Sequence, residues 1–208
     1  MAKKQVPYDQ KYYDPEIECM PREELEQLQL ERLKEMVAFA YENAPYYKLS
    51  FDEAGVKPSD IKTLEDIRKF PFIDKKTERE TQGVGSFFGG LCAVPEEDVI
   101  FMATSSGSTG VPTMSPFTQE DFDLWQDTEA RLFWQAGMRP TDRYVHGLNF
   151  ALYVGGPDVI GAQNLGATAI WVGAVPSDRL LFVLKHYQPT VIWTSPSYAW
   201  QLGNKAKE

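Results

Sequence analysis

Two cysteines and two histidines are all this 208-residue chain holds of thiol and imidazole. Cys19 and Cys92 stand far apart with no Cys-x-x-Cys spacing, which excludes a zinc-finger pattern and a disulfide framework and fits a reduced compartment. No stretch reaches the roughly 18 apolar residues a membrane-spanning helix needs, and the opening Met-Ala-Lys-Lys-Gln-Val-Pro-Tyr lacks an apolar signal core. The cytoplasm is the expected location, with no membrane partner. Positive charge is also scarce: 21 Lys and Arg against 30 Asp and Glu leave a net charge of −9. Nucleic acids and anionic lipid surfaces demand clustered cations, so neither is an expected partner, although a small anion held locally is not excluded. What is present is an ordinary globular composition, 43% hydrophobic, enough to bury a full core in one domain or at most two small lobes.

The most informative stretch runs Thr104-Ser105-Ser106-Gly107-Ser108-Thr109-Gly110-Val111-Pro112-Thr113, directly after the apolar run Val99-Ile100-Phe101-Met102. Gly107 and Gly110 tolerate positive φ, so successive N–H groups can converge on one anion, and the hydroxyls of Ser105, Ser106, Ser108 and Thr109 add short donors. A plain flexible Ser/Gly turn is the alternative. The flanks argue against a linker: a strand-like run precedes the loop, and Pro112 fixes its own φ while biasing Val111 toward extended backbone. No Gly-Lys follows, so the mononucleotide-kinase spacing is not met.

Residues 1–20 read as an irregular arm and 21–98 as a helical region. Within it, Leu25, Leu28, Leu33, Met36, Val37 and Ala40 keep helical spacing from Arg22 to Asn43, ended by Ala44-Pro45. Thr63-Leu-Glu-Asp and Thr118-Gln-Glu-Asp have the form of capping boxes and predict helices from Leu64 and Gln119, the second running to about Ala136. Residues 99–208 read as an α/β region. Short apolar runs at 143–146, 167–172 and 190–193 alternate with helical stretches near 157–165 and 178–187, which predicts βαβ units and a mainly parallel sheet layered by helices. Ligands collect at the carboxyl ends of such strands, where both Ser105–Gly110 and Gly147–Gly156 are expected to fall.

His146-Gly147-Leu148-Asn149-Phe150-Ala151-Leu152-Tyr153-Val154-Gly155-Gly156 follows the second predicted strand. His146 and Asn149 offer hydrogen-bonding groups and Phe150 and Tyr153 offer ring walls; the alternative is a core histidine among packing aromatics. His186 lies at a helix carboxyl end, where a dipole interaction is its expected role. Trp193, Tyr198 and Trp200 are expected to pack.

The loop resembles the phosphate-binding signature of the adenylate-forming acyl-CoA synthetases, in the phenylacetate-CoA ligase branch, Ser-Ser-Gly-Thr-Thr-Gly-Lys-Pro-Thr. Ser108 is a conservative exchange, and Val111 stands where that pattern has lysine. The resemblance continues through Leu28–Leu33, Ala40–Tyr47, Phe51–Val56, Phe70–Phe72, Gly155-Gly156, Gly166-Ala167 and Thr194–Tyr198, covering about residue 20 to the end. It implies the amino-terminal portion of the large domain of an adenylate-forming enzyme. It also implies ATP with Mg2+ and coenzyme A as reactants, and a small-molecule carboxylic acid, aryl by analogy, as substrate. Thr104, Ser105, Ser106, Gly107, Ser108, Thr109, Gly110 and Thr113 would hold phosphate; His146, Asn149, Phe150, Tyr153, Gly155 and Gly156 would form the acyl pocket. No metal ligand is assigned, Thr109 being the residue expected nearest the ion, and a homodimer stays open. The family's catalytic lysine and hinge come later than residue 208, so no catalytic residue is assigned. The expectation is a truncated amino-terminal part, inactive alone, or alternatively a non-catalytic anion-binding or interaction module.

Overall fold

Pro21 and Pro45 bracket the long helix α2 (Arg22–Asn43), which begins and ends where the sequence predicts. Glu23 and Glu24 occupy its first turn, where the helix dipole favours acids. Ala44 is extended because a proline follows it, and Pro45 opens α3 (Pro45–Ala54), which stops at Gly55 with φ 69°. The chain is described here from a computed structural model that places residues 6–105, 111–150 and 157–207. It divides into two compact units, one of residues 15–119 and one of residues 1–14 with 120–208.

In the 15–119 unit a short helix α1 (Pro15–Glu18) precedes α2. Val37, Phe51, Ile61 and Phe70 form the core, with Leu30, Leu33 and Tyr41 packed against it. The apolar stripe of α2 is narrower than its sequence suggests, since Met36 is 64% exposed. The Thr63 capping box exists: the Asp66 carboxylate accepts the Thr63 N–H at 2.7 Å and the Lys62 N–H at 2.9 Å. The element it starts, Leu64–Lys69, is a 3-10 helix rather than an α-helix. Asp74 then caps α4 (Lys75–Thr81), accepting the Thr77 N–H at 2.8 Å. Strands β1 (Val99–Thr104) and β2 (Met114–Thr118) close the unit as an antiparallel pair, in register from Phe101 opposite Phe117 to Thr104 opposite Met114. This corrects one expectation: the Ser/Thr/Gly loop joins the strands of a two-stranded antiparallel hairpin and is not a turn of the parallel sheet.

The sheet of the other unit is parallel, as predicted. Its strands β3 (Arg143–His146), β4 (Thr168–Ile170) and β5 (Val191–Trp193) lie in the order β4-β3-β5. Helix α5 (Gln119–Gln135) enters the unit and ends before Gly137, whose φ of 98° breaks the helix. Helices α6 (Asp158–Leu165), α7 (Ser177–Tyr187) and α8 (Pro196–Lys205) follow the strands in turn. Successive residues of β3 point to opposite faces and both faces are covered. Tyr144 packs with Phe133 and Trp134 of α5 and Val159 and Ala162 of α6, while Val145 packs with Leu180, Val183 and Leu202 of α7 and α8. The amino-terminal residues join the first of these layers through Tyr13, whose ring centroid lies 5.9 Å from that of Trp134.

Candidate functional site

Of the predicted phosphate-loop residues, Thr104, Ser105 and Thr113 are described; Ser106, Gly107, Ser108, Thr109 and Gly110 lie outside the described residues. The neck of the loop is pinned. The Ser105 N–H donates to the Thr113 carbonyl at 3.0 Å, and the Thr113 N–H donates back to the Ser105 hydroxyl at 3.0 Å. Helix α4 braces the descending arm. The Gln82 side chain, one residue past that helix, receives the Met114 N–H at 2.8 Å and donates to the Pro112 carbonyl at 3.2 Å, acting as a surrogate strand. The Lys75 ammonium donates to the Thr113 hydroxyl at 2.6 Å and lies 3.1 Å from the Glu78 carboxylate. A cation therefore stands at the loop's base although Val111, 71% exposed, brings none. The sequence reading missed Lys75 and Gln82, because nothing local links them to a segment some 30 residues downstream. A cleft of about 680 Å3 in the same unit is bordered by Tyr46, Leu49, Val84 and Cys92, and none of the described loop residues lines it.

The second predicted site gathers at the carboxyl end of β3. The chain passes from β3 through α6 to β4 on one side, then through α7 to β5 on the other, so β3 and β5 flank the point where strand order reverses. Open α/β sheets bind ligands at such points. His146, the last residue of β3, is fully buried. Its Nδ1 lies 3.0 Å from Asp158 Oδ2 and 2.8 Å from Oδ1. Tyr144, two residues earlier on the same face, donates its hydroxyl hydrogen to Asp158 Oδ2, and burial beside that carboxylate pushes the phenol well above its usual range. Asp158 is the first residue of α6, where unpaired helix N–H groups favour an anion. The Phe150 ring stacks on His146 at 4.7 Å between centroids, and Trp171 approaches Phe150 at 5.8 Å. At Gly173, with φ 70°, a Cβ would come within 2.6 Å of the Phe150 ring, so the ring's seat requires glycine there. Asn149 is exposed; Tyr153, Gly155 and Gly156 lie outside the described residues. The structure thus unites His146 and Phe150 and adds Tyr144, Asp158 and Trp171, which sequence reasoning did not single out. His146 and Asp158 are 12 positions apart across a strand-to-helix turn, beyond any local pattern.

His186 follows its expectation: in the last turn of α7 its Nδ1 lies 2.8 Å from the Phe182 carbonyl. Trp200, expected to pack, is instead 74% exposed. No group of three or more His, Cys, Asp or Glu side chains that could hold a metal occurs among the described residues, and no helix there is long and apolar enough to cross a membrane.

No model of a known protein family matches the chain. Individual relatives do. Phenylacetate-coenzyme A ligase of Thermus thermophilus is 37% identical over 197 residues, 94% of this chain and 43% of the relative; that of Escherichia coli is 38% identical over 190 residues, 91% of this chain and 42% of the relative. The chain is similar to the phenylacetate-CoA ligase branch of the adenylate-forming acyl-CoA synthetases. It matches the amino-terminal part of the branch and spans less than half the length of these curated relatives. A structure of 2-hydroxyisobutyryl-CoA ligase in complex with 2-HIB-AMP and CoA superposes with a TM-score of 0.92 at 33% identity, over 98% of this chain and 44% of that one. The fold is accordingly that of an adenylate-forming CoA ligase.

Proposed function

We propose that these residues form the nucleotide- and acid-binding part of an ATP-dependent acid-CoA ligase. In that reaction a carboxylate oxygen attacks the α-phosphorus of ATP and pyrophosphate leaves. The acyl-adenylate then passes its acyl group to the coenzyme A thiol, releasing AMP. Thr104 to Gly110 and Thr113 hold the triphosphate, and Lys75 supplies the cation that Val111 does not. Positioning and charge stabilisation are most of what such a step requires of a protein. The observation that carries the reading is the pinned loop neck, with a lysine ammonium on Thr113 at 2.6 Å. Magnesium bound with the nucleotide would neutralise phosphate charge, and Thr109 would be the loop residue nearest to it.

His146 and Asn149 face the acid's carboxylate, and Phe150 and Tyr153 wall its ring, with Gly155 and Gly156 keeping backbone close by. The aryl preference draws on the names of the curated relatives and on the aromatic cluster around Phe150. Calorimetric titration with ATP tests the loop: Ser106→Ala with Thr109→Ala, and separately Lys75→Ala, are each expected to weaken binding roughly tenfold, the worth of a charge-assisted hydrogen bond. An unchanged titration curve in both variants would remove the assignment. A thermal-shift series in which only aliphatic acids stabilise the protein would remove the aryl preference.

A second reading is a non-catalytic anion-binding module, in which the pinned loop neck with Lys75 at Thr113 holds an anion without chemistry. We expect the 208 residues alone not to turn over. Acid-dependent exchange of labelled pyrophosphate into ATP by the purified chain would overturn that expectation and the second reading together.

A further inference from the structure

The buried trio of Tyr144, His146 and Asp158 contains two polar atoms without a hydrogen-bond partner among the described residues. They are His146 Nε2 and Asp158 Oδ1, the latter close to Nδ1 but not aligned with it. Buried polar groups are nearly always satisfied, and a bare imidazole nitrogen at the carboxyl end of a central strand asks for an occupant. Its chemistry follows from the ring's other nitrogen: Nδ1 faces Asp158, so whenever the carboxylate accepts an Nδ1 proton from an imidazolium, or the acid gives Nδ1 its own proton, the remaining ring proton sits on Nε2. Nε2–H is then a donor with nothing to donate to, suited to an anionic oxygen.

We infer that Asp158 and Tyr144 are positioning residues, holding His146 so that its Nε2–H is presented to a carboxylate oxygen of the acid substrate. This rests on the ligase reading above and adds to it a specific relay: the Tyr144 hydroxyl and His146 Nδ1 both bind Asp158, while Nε2 reads the ligand. The stacked Phe150 holds the imidazole plane, so the donor's direction is set from two sides.

With two histidines in the chain, nitrogen-15 NMR of histidine-labelled protein resolves each ring, and His186→Gln assigns the signals. At pH 7 the 208-residue chain is expected to show a protonated His146 Nε2 and a hydrogen-bonded Nδ1 proton far downfield. Asp158→Asn is expected to abolish the downfield signal. Tyr144→Phe, which keeps the carboxylate, is expected to retain Nε2–H and move the Nδ1 proton further downfield. Adding phenylacetate is expected to shift Nε2 in the parent chain, with roughly tenfold weaker binding in Asp158→Asn, as for loss of a hydrogen bond to a charged group. A bare Nε2 in the parent chain, or spectra unmoved in both variants, overturns the relay. A protonated Nε2 that phenylacetate leaves unshifted overturns the carboxylate contact. ATP titration is a separate reading: loss of ATP binding with the His146 signals intact counts against the ligase assignment and not against the relay.

Discussion

The two units solve the problem of polar side chains in opposite ways. In the 15–119 unit the carboxylates that organise the backbone sit at the surface, Asp74 exposed and Asp66 partly covered. Asp66 is held well below its usual range first by the Lys69 ammonium and then by the backbone N–H groups it caps, and Asp74 first by the Thr77 N–H. In the other unit the polar groups are sunk among aromatics: Tyr144, His146, Asp158 and Gln126 are all essentially inaccessible. Exposed capping adds local order at small cost, because water can replace either partner. Buried networks have no such substitute, so each unsatisfied atom is expensive and marks a place where a ligand can contribute.

The sharpest way to break this comparison is to empty the aromatic layer. Trp134→Ala should cost about 3–5 kcal/mol, the usual range for a buried aromatic truncated to alanine. All five tryptophans (125, 134, 171, 193 and 200) fall in the 120–208 stretch. The denaturation midpoint followed by the remaining tryptophan emission should therefore drop, while hydrogen exchange over 15–119 stays at parent rates. Equal loss in both units would show that they do not differ as described. Next comes Gly161→Ala, where the added Cβ would stand 2.5 Å from the Glu129 Cβ, forcing α5 and α6 apart. Overpacking of this kind costs about 1–3 kcal/mol, readable from the same emission.

pH acts on the buried phenols and on the capping carboxylates with opposite sign. Burial, aided by Asp127, pushes the Tyr13 phenol up to about 12, and Tyr144 is raised as well. The folded state thus keeps protons that the unfolded chain releases near pH 10, so this stability is complete below about pH 10 and falls as pH climbs toward the folded values. Alkaline titration should lower the midpoint reported by tryptophan emission, and Tyr13→Phe with Tyr144→Phe should flatten the dependence. The depressed Asp66 and Asp74 act in reverse: their contribution is present above about pH 4 and fades as pH falls through the folded values. Asp74 is exposed and Asp66 lies at the surface, where solvent screens it, so the effect is the smallest of the series. Asp66→Asn should merely quicken amide exchange over residues 62–70, and a global loss of stability would contradict it.

Local chemistry made much of this legible. Prolines at 21 and 45 and the acids of the first turn delimit α2, and the alternation after residue 140 announces three parallel strands within two residues of their ends. The hairpin was hidden because Pro116 lies inside β2, where proline ordinarily argues against a strand. The loop's composition could be read, but not its bracing by Lys75 and Gln82, which depends on residues 30 to 38 positions upstream folding back. Likewise His146 was visible as a candidate, whereas its partner Asp158 reads in sequence only as an acid at a helix start.

Tyr13 reaches Asp127 across 114 positions, with an entire compact unit threaded between them. A nascent polypeptide leaving the ribosome therefore carries the stretch around Tyr13 without its Asp127 partner until the fifth helix has emerged. The intervening 15–119 stretch can settle beforehand, since the contacts of its own core are internal. A stretch left waiting in this way gives a protease its best opportunity there during synthesis rather than after it.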